Sequence, residues 1–407
     1  MIFELPKISN SLYMISVAEA KKIIRENTRV LSPQKKSLQE AAGLVLAGDV
    51  FAATTIPGFR QSSMDGYALL FNSWQPNKRL AITGVVAAGN NEQILLPPGN
   101  AVRIFTGAAV PPGADTVVMQ ERTRVENGEL IIEDDHLEAG INVRPAGAEI
   151  KAGELALEKN SLLTPAAIGF LTAIGITDVP VYPHPSISII VTGDELQEPG
   201  KPLLYGQVYE SNSISLKAAL QQLHINDVKV FSVKDNLEML TQLLGHAMQQ
   251  SDVVFLTGGI SVGDFDFVLQ ATINNGVQKL FHKIKQRPAK PLYFGKKENT
   301  CIFGLPGNPA SGLTSFYEYA APALGILCNR NYYLKTLMVP LEKAFKKPAG
   351  LTHFLKGFYN GETASILDAQ ESYRLSSFAK ANCLIQINED TTVCAAGALV
   401  EIHLLPA

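Results

Sequence analysis

The stretch Asp252–Phe267, DVVFLTGGISVGDFDF, decides the fold. It opens as an apolar run and stops in three glycines, a serine and two aspartates, Asp264 and Asp266, spaced i, i+2. A short apolar run without polar alternation suits a strand buried on both faces, the usual condition in a parallel sheet. Two similar runs precede it, SISIIVT (186–192) and VKVFSV (228–233). Between the second run and Asp252 the period turns helical, with Leu237, Leu240, Leu244 and Ala247 along one face. Strands alternating with amphipathic helices predict a βαβ domain over 181–329, its parallel-rich sheet covered on both faces in a three-layer α/β/α arrangement.

Outside this region the texture differs. Ser16-Val-Ala-Glu19 is a capping box that opens a helix running to about Arg25, with Val17, Ala20, Ile23 and Ile24 as its apolar face. Short β-rich runs between Pro/Gly turns (LAITGVV, AVRIFTG, DTVVMQE, ELIIE) predict a small β domain over 49–140. Residues 1–48 and 141–180 are expected to pack together as one discontinuous N-terminal domain. FLKGFYNG, NCLIQI and ALVEIHLL predict a C-terminal β domain over 330–407. The fold class is therefore α/β multidomain, with β-rich domains beside the βαβ domain.

With 407 residues, 46% hydrophobic and 18% charged, the composition is that of a globular, not a disordered, chain. A net charge of -3 gives no global case for nucleic acid or an anionic membrane. Cys301, Cys328, Cys383 and Cys394 form no C-x-x-C pair, and the seven histidines show no ligand spacing. MIFELPKISNSLYM lacks the charge and apolar pattern of a secretion signal, and no apolar run reaches ~18 residues. A cytoplasmic protein is the expectation.

In an open parallel sheet, ligands bind beyond the carboxyl ends of the strands. The unusual residues gather there: Gly193, Asp194 and Glu195 in VTGDEL; Gly258, Gly259 and Ser261 in TGGIS; Pro306, Gly307, Asn308, Pro309 and Ser311 in GLPGNPAS. Bare glycines let backbone N–H groups approach an anion. Glu195, Asp235, Asp264 and Asp266 are carboxylates at the same end, suited to Mg²⁺, which shares oxygen ligands with substrate phosphates. Lys283, Lys285, Arg287 and Lys290 in FHKIKQRPAKP are cations suited to clamp an anion. Simpler readings stand beside these. Asp235 precedes a helix and is equally suited to cap it, and Asp264 or Asp266 can cap the helix after them. Lys283 and Lys285 also fit a solvated face, and the prolines of GLPGNPASG also fit the start of a helix. On local physics Asp65-Gly66 reads as a turn, and Thr106-Gly107 is ambiguous.

Assembled, SSMDGYA (62–68), RIFTGAAVPPGADTVVMQE (103–121), TGDEL (192–196), TGGISVGDFDF (257–267), KQRPAKP (285–291) and GLPGNPASG (304–312) resemble the molybdopterin molybdenumtransferase family, the MoeA and gephyrin E-domain group. The resemblance implies four domains in an elongated homodimer, with Asp65 and Thr106 of one subunit facing Glu195, Asp235 and Asp266 of the other. It implies Mg²⁺-dependent insertion of molybdate into adenylylated molybdopterin with loss of AMP, and transient contact with the adenylylating protein and apo-molybdoenzymes. Asp65, Glu195, Asp235 and Asp266 match the acidic cleft residues, with Glu195, Asp264 and Asp266 as metal ligands. Lys283 and Lys290 match basic residues, Pro306 and Pro309 match prolines of an oxyanion pocket, and Ser372 matches a serine of the last domain.

Several positions depart from the family pattern. Arg287 stands where lysine is usual, Glu149 and Glu210 where aspartate is common, and Ala289 within the usual P-G-K. In GLTHFLKG (350–357), Leu351 replaces an arginine associated with oxyanion binding, and leucine cannot supply a guanidinium's bidentate grip. The alternatives are a scaffold, as in the gephyrin branch, a molybdopterin-binding paralogue that inserts no metal, and a tungstate-specific transferase.

Overall fold

The computed structural model describes residues 14–90, 93–258 and 267–406. They form two compact units, one of residues up to Pro33 together with Tyr182 onward, the other Gln34–Val181.

The first helix, α1 (Val17–Asn27), is capped as its sequence requires, the Ser16 hydroxyl accepting from the Glu19 N–H at 3.1 Å. Its buried residues Val17, Ala20 and Ile24 lie in the core of the α/β domain, with Ile187, Phe255 and Phe303. Residues 34–52 pair with the 141–181 region without it: Gln34–Ser37 runs antiparallel to Asp178–Tyr182, and Val50–Phe51 to Leu155–Leu157. The helix thus leaves the N-terminal segment it was expected to join. There its stripe meets apolar partners from both the sheet and the C-terminal helix of the domain, among them Ile187, Phe303 and Leu324.

In the unit Gln34–Val181, six strands lie in the order Thr116–Met119, Gly66–Leu69, Asn100–Ile104, Leu80–Val86, Glu129–Ile132, Thr123–Glu126. The turn expected at Asp65-Gly66 is displaced. Gly66 is already in a strand, paired with Ile104 and Met119. Its missing side chain serves packing, because a Cβ there would lie 1.9 Å from the Val118 carbonyl oxygen. A separate core forms under helix α2 (Pro165–Ala173), whose N-cap Thr164 accepts from Ala167 N–H at 3.2 Å.

The α/β domain is built on β1 (Ile187–Thr192), β2 (Val228–Val233), β3 (Val253–Thr257), β4 (Gln278–His282), β5 (Tyr293–Lys297) and β6 (Thr300–Leu305). Their order is β2-β1-β3-β6-β5-β4, parallel from β2 to β6 and antiparallel at the β5 and β4 edge. Every residue of β1 and β3 is buried, which is why neither run alternates. Ile187, Ile189, Val191 and Phe255 face one core with α3 (Asn212–Gln222) and α1. Ile190, Val254 and Leu256 face the other, with α4 (Leu237–Gln250) and α5 (Phe267–Asn274). Chain connections leave β1 for β2 on one side and return to β3 on the other, so the strand order reverses between β1 and β3.

The C-terminal sheet contains β7 (Lys335–Pro340), β8 (Thr352–Tyr359), β9 (Cys383–Ile387) and β10 (Leu399–Leu404) in the order β8-β9-β10-β7. Gln286–Arg287 joins its edge, parallel to Thr352–His353 of β8. A buried ionic chain ties this sheet to the α/β domain. Glu318 accepts from Lys21 of α1 at 2.6 Å and from His403 of β10 at 2.5 Å, and the other His403 ring nitrogen lies 2.9 Å from Glu401.

Burial works against charge on Glu318, but His403 and Lys21 outweigh it and hold the carboxyl below its ordinary value of 4.5. Burial likewise opposes the imidazolium of His403, and the Glu318 hydrogen bond raises it above 6.5. The His403 contribution is complete below 6.5 and lost as pH rises through the raised value, whereas that of Glu318 is complete above 4.5 and lost as pH falls through the lowered one. Glu318→Ala, which takes the shared carboxylate from the buried His403 ring and the partly exposed Lys21 ammonium, is expected to cost ~3–5 kcal/mol in unfolding experiments. The gap from wild type should be widest between pH 4.5 and 6.5 and narrow as pH rises through the raised value of His403.

Candidate functional site

The carboxyl ends of β1, β3 and β6 lie level, Val191 beside Thr257 and Thr257 beside Leu305. At the reversal of strand order the backbones come very close. Gly258 follows β3 at φ +88, and a Cβ there would lie 1.9 Å from the Thr192 carbonyl oxygen. Only glycine meets both conditions. A Cβ on Gly307, after β6, would lie 3.6 Å from the Gly258 Cα, so the two bare loops are neighbours. Asn212 at the start of α3 bridges them, its side-chain amide donating to Thr257 Oγ1 at 2.9 Å and to the Gly307 carbonyl at 2.8 Å.

Asp235 is not the helix cap. Asn236 caps α4 by accepting from Met239 N–H at 2.9 Å, and Asp235 instead accepts from the Thr192 hydroxyl at 2.5 Å. Its backbone N–H points to Asp194 at 3.4 Å. Asp194, Glu195 and Asp235 are exposed beyond the strand ends. These are hard oxygen donors of the kind Mg²⁺ uses, and the ion commonly takes one or two carboxylates plus substrate phosphates. No group of three or more potential metal-binding side chains is assembled among the described residues. Gly259, Ser261, Asp264 and Asp266 lie outside the described residues.

A cavity of about 670 Å³ lies beside the β6 loop. It gathers Arg287, Lys290, Pro306, Gly307, Asn308 and Ser311 from the α/β side, with Leu351 and Ser372 from the C-terminal side. Lys283 and Pro309 are not among its lining residues. Asn308 donates from its amide to Ser372 Oγ at 2.9 Å, joining the two sides. Arg287 is aimed by the pairing of its strand with β8. Gln286 is buried, donating to the Ala289 carbonyl at 3.0 Å and accepting from the Tyr319 hydroxyl. Ala289 sits at φ +66, a left-handed conformation that suits the glycine usual there. His353, opposite Arg287, is held down to about 4 by burial and then by the charges of Lys347 and Arg287, so it is neutral at neutral pH. The cavity also holds Glu371, whose carboxylate Arg374 Nε engages at 3.2 Å.

In the other unit, the register that sets Gly66 against Ile104 brings Asp65 and Thr106 together across the strand ends. The Thr106 N–H and hydroxyl both donate to Asp65 Oδ1, at 2.7 and 2.8 Å. The backbone bond, then the hydroxyl bond, pull the Asp65 carboxyl below its ordinary value of 3.8. Thr192, Asn212 and Thr257 were missed from the sequence, because hydroxyl and amide side chains at strand and helix ends pass for ordinary capping groups.

The sequence and the fold are matched by known proteins. The "MoeA N-terminal region (domain I and II)" family model covers residues 15–175, "Probable molybdopterin binding domain" covers 188–325, and "MoeA C-terminal region (domain IV)" covers 338–405. A molybdopterin molybdenumtransferase of Haemophilus influenzae is 35% identical over 91% of this chain and 94% of its own length. The chain belongs to the molybdopterin molybdenumtransferase family. It is an enzyme of molybdenum cofactor biosynthesis. Molybdopterin molybdenumtransferase 2 of Mycobacterium tuberculosis is 31% identical over 96% of this chain and 99% of its own. Two solved structures of molybdopterin biosynthesis MoeA proteins from Pyrococcus horikoshii cover 97% of this chain and 100% of theirs. Their TM-scores are 0.80 and 0.75, at 26% and 27% identity.

Gly258→Ala in the transferase is expected to cost ~1–3 kcal/mol in backbone strain alone. The clash with the Thr192 carbonyl should also cut molybdopterin binding at least ~10-fold, measured by fluorescence quenching of the bound pterin.

Proposed function

We propose that the transferase binds adenylylated molybdopterin along the glycine-lined strand ends and takes molybdate as co-substrate in the adjoining cavity. The products are molybdenum cofactor and AMP. One observation carries this reading: Arg287, Lys290, Asn308, Ser311 and Ser372, from separate elements, line one cavity whose single carboxylate, Glu371, is paired with Arg374, beside a backbone edge that excludes side chains. Such an edge suits phosphate or pterin groups, and the cation-lined cavity suits a small oxyanion. Glu195, Asp264 and Asp266 would hold Mg²⁺, with Asp235 alongside. When bound, the ion supplies neutralisation of phosphate charge.

The chain's own residues do the positioning. Thr192 fixes the Asp235 carboxylate, and Thr106 fixes Asp65 in its charged form. In a homodimer, Asp65 of one subunit faces Glu195 and Asp235 of the other, completing the site. The enzyme works in the cytoplasm and meets the adenylylating protein and apo-molybdoenzymes only transiently. No helix among the described residues is long and apolar enough to cross a membrane.

The test supplies adenylylated molybdopterin, Mg²⁺ and titrated molybdate, following AMP release together with reconstitution of an apo-molybdoenzyme. Saturable, molybdate-dependent reconstitution supports the reading. AMP release with reconstitution by tungstate alone assigns the cavity to tungstate, and a folded protein that binds pterin and does neither leaves a binder or scaffold. Asp65→Asn is expected to lower turnover ~100-fold or more with pterin affinity retained. Arg287→Ala should raise the KM for molybdate by ~10-fold or more.

A further inference from the structure

The C-terminal wall of the cavity is a loop, Asp368–Arg374, outside any helix or strand, with one turn bond of its own from the Arg374 N–H to the Glu371 carbonyl at 3.1 Å. It supplies Gln370, Glu371, Ser372 and Tyr373 to the lining. What folds it is a lysine. Lys356, in the middle of β8, is only 4% exposed, and its ammonium donates to three carbonyls of this segment. The acceptors are Ala369 at 2.6 Å, Arg374 at 3.0 Å and Glu371 at 3.2 Å. Three protons meet three acceptors, which meets the condition for burying an ammonium.

The surrounding bonds repeat the pattern. The Lys356 backbone N–H donates to Gln370 Oε1 at 3.0 Å, and Gln370 Nε2 donates back to the Lys356 carbonyl at 2.8 Å. Ser377 Oγ donates to the Ala369 carbonyl at 2.7 Å from outside the cavity. The result is delivered across the cavity. The Ser372 hydroxyl receives Asn308, and the Ser372 carbonyl accepts from Ala310 N–H at 3.1 Å, at the start of the helix after β6. Lys356 itself is not among the lining residues.

We propose that Lys356 is a positioning residue for the oxyanion cavity: its ammonium acts as the hub on which the Asp368–Arg374 loop is wound, and occupancy by molybdate depends on that winding. The role rests on the reading of the cavity as the molybdate site. Without the hub, all three carbonyls lose their charged donor; the Ser377 hydroxyl on Ala369 and the Arg374 N–H on Glu371, at 3.1 Å, stay in place but bring no charge, so the loop loosens towards solvent. That movement takes Ser372 off Asn308 and opens one wall.

The experiment compares Lys356→Met and Ser377→Ala with wild type and Arg287→Ala in the full-length protein. Hydrogen exchange mass spectrometry reads the loop, and calorimetric titration with sodium molybdate reads the cavity. Lys356→Met is expected to lose amide protection over 368–374. Its molybdate Kd, and its KM in the insertion assay, should rise ~10-fold or more, with kcat at saturating molybdate within about 3-fold. Ser377→Ala, a milder cut at the same loop, should show the same signs at smaller size and covers the case in which Lys356→Met does not fold. Unchanged exchange over 368–374 in the folded variants overturns the proposal. So does a loosened loop that binds molybdate as wild type does while Arg287→Ala is weakened. If Arg287→Ala also binds molybdate normally, it is the oxyanion reading of the cavity that falls, and the hub role falls with it.

Discussion

The approach of Gly258 to the Thr192 carbonyl sets the geometry of the loops at the strand ends of the α/β domain. It arises because β1 and β3 lie side by side while their connections depart in opposite directions, which leaves a crevice that no helix among the described residues fills. At its floor the two backbones pack with no room for a methyl group. The remainder follows by contact. Gly307 packs beside Gly258, Asn212 locks Thr257 to Gly307, and the following turn carries Asn308 and Ser311 to the cavity. Thr192 itself holds Asp235 through its hydroxyl. One residue therefore shapes the floor with its carbonyl and orients a carboxylate with its side chain.

The parts legible in the sequence are those where burial is one-sided or complete. β1 and β3 show unbroken apolar runs because both faces are covered, and α4 shows its stripe because one face is. What was not legible depends on residues distant in sequence. The Asp65–Thr106 pair exists through the antiparallel register of the strands beside them, and no local pattern encodes that register. Gly66 reads as a turn residue in the sequence because local chemistry cannot separate a glycine needed for φ from one needed for close approach. The stripe of α1 was correct, but a stripe does not say which apolar surface it will meet. A lysine inside the apolar run of β8 gave no sign that three carbonyls would come to it.

The departures from the family pattern also acquire physical content. Ala289 occupies a left-handed backbone position, which explains why glycine is the common choice there. Leu351 lines the cavity and brings no charge to it. Its carbonyl accepts at 2.8 Å from the buried Lys347 ammonium, which also reaches the Glu389 carbonyl at 3.2 Å. The backbone at this position is thus held independently of the side chain it carries. The positive charge lining the cavity is left to Arg287 and Lys290.

The two-residue pairing of Gln286–Arg287 with Thr352–His353 has a consequence for how such a protein can be inherited. The cavity is a seam stitched from both sides: a strand of one domain lies in the sheet of the next, and Asn308 is tied across the join to Ser372. A C-terminal domain exchanged between relatives would arrive without the edge strand that aims Arg287 and without the amide that meets its serine. The segment 285–291 and the C-terminal domain therefore work as one unit, although the chain between them runs through the rest of the α/β domain. The cavity belongs to the join, and neither side carries it alone.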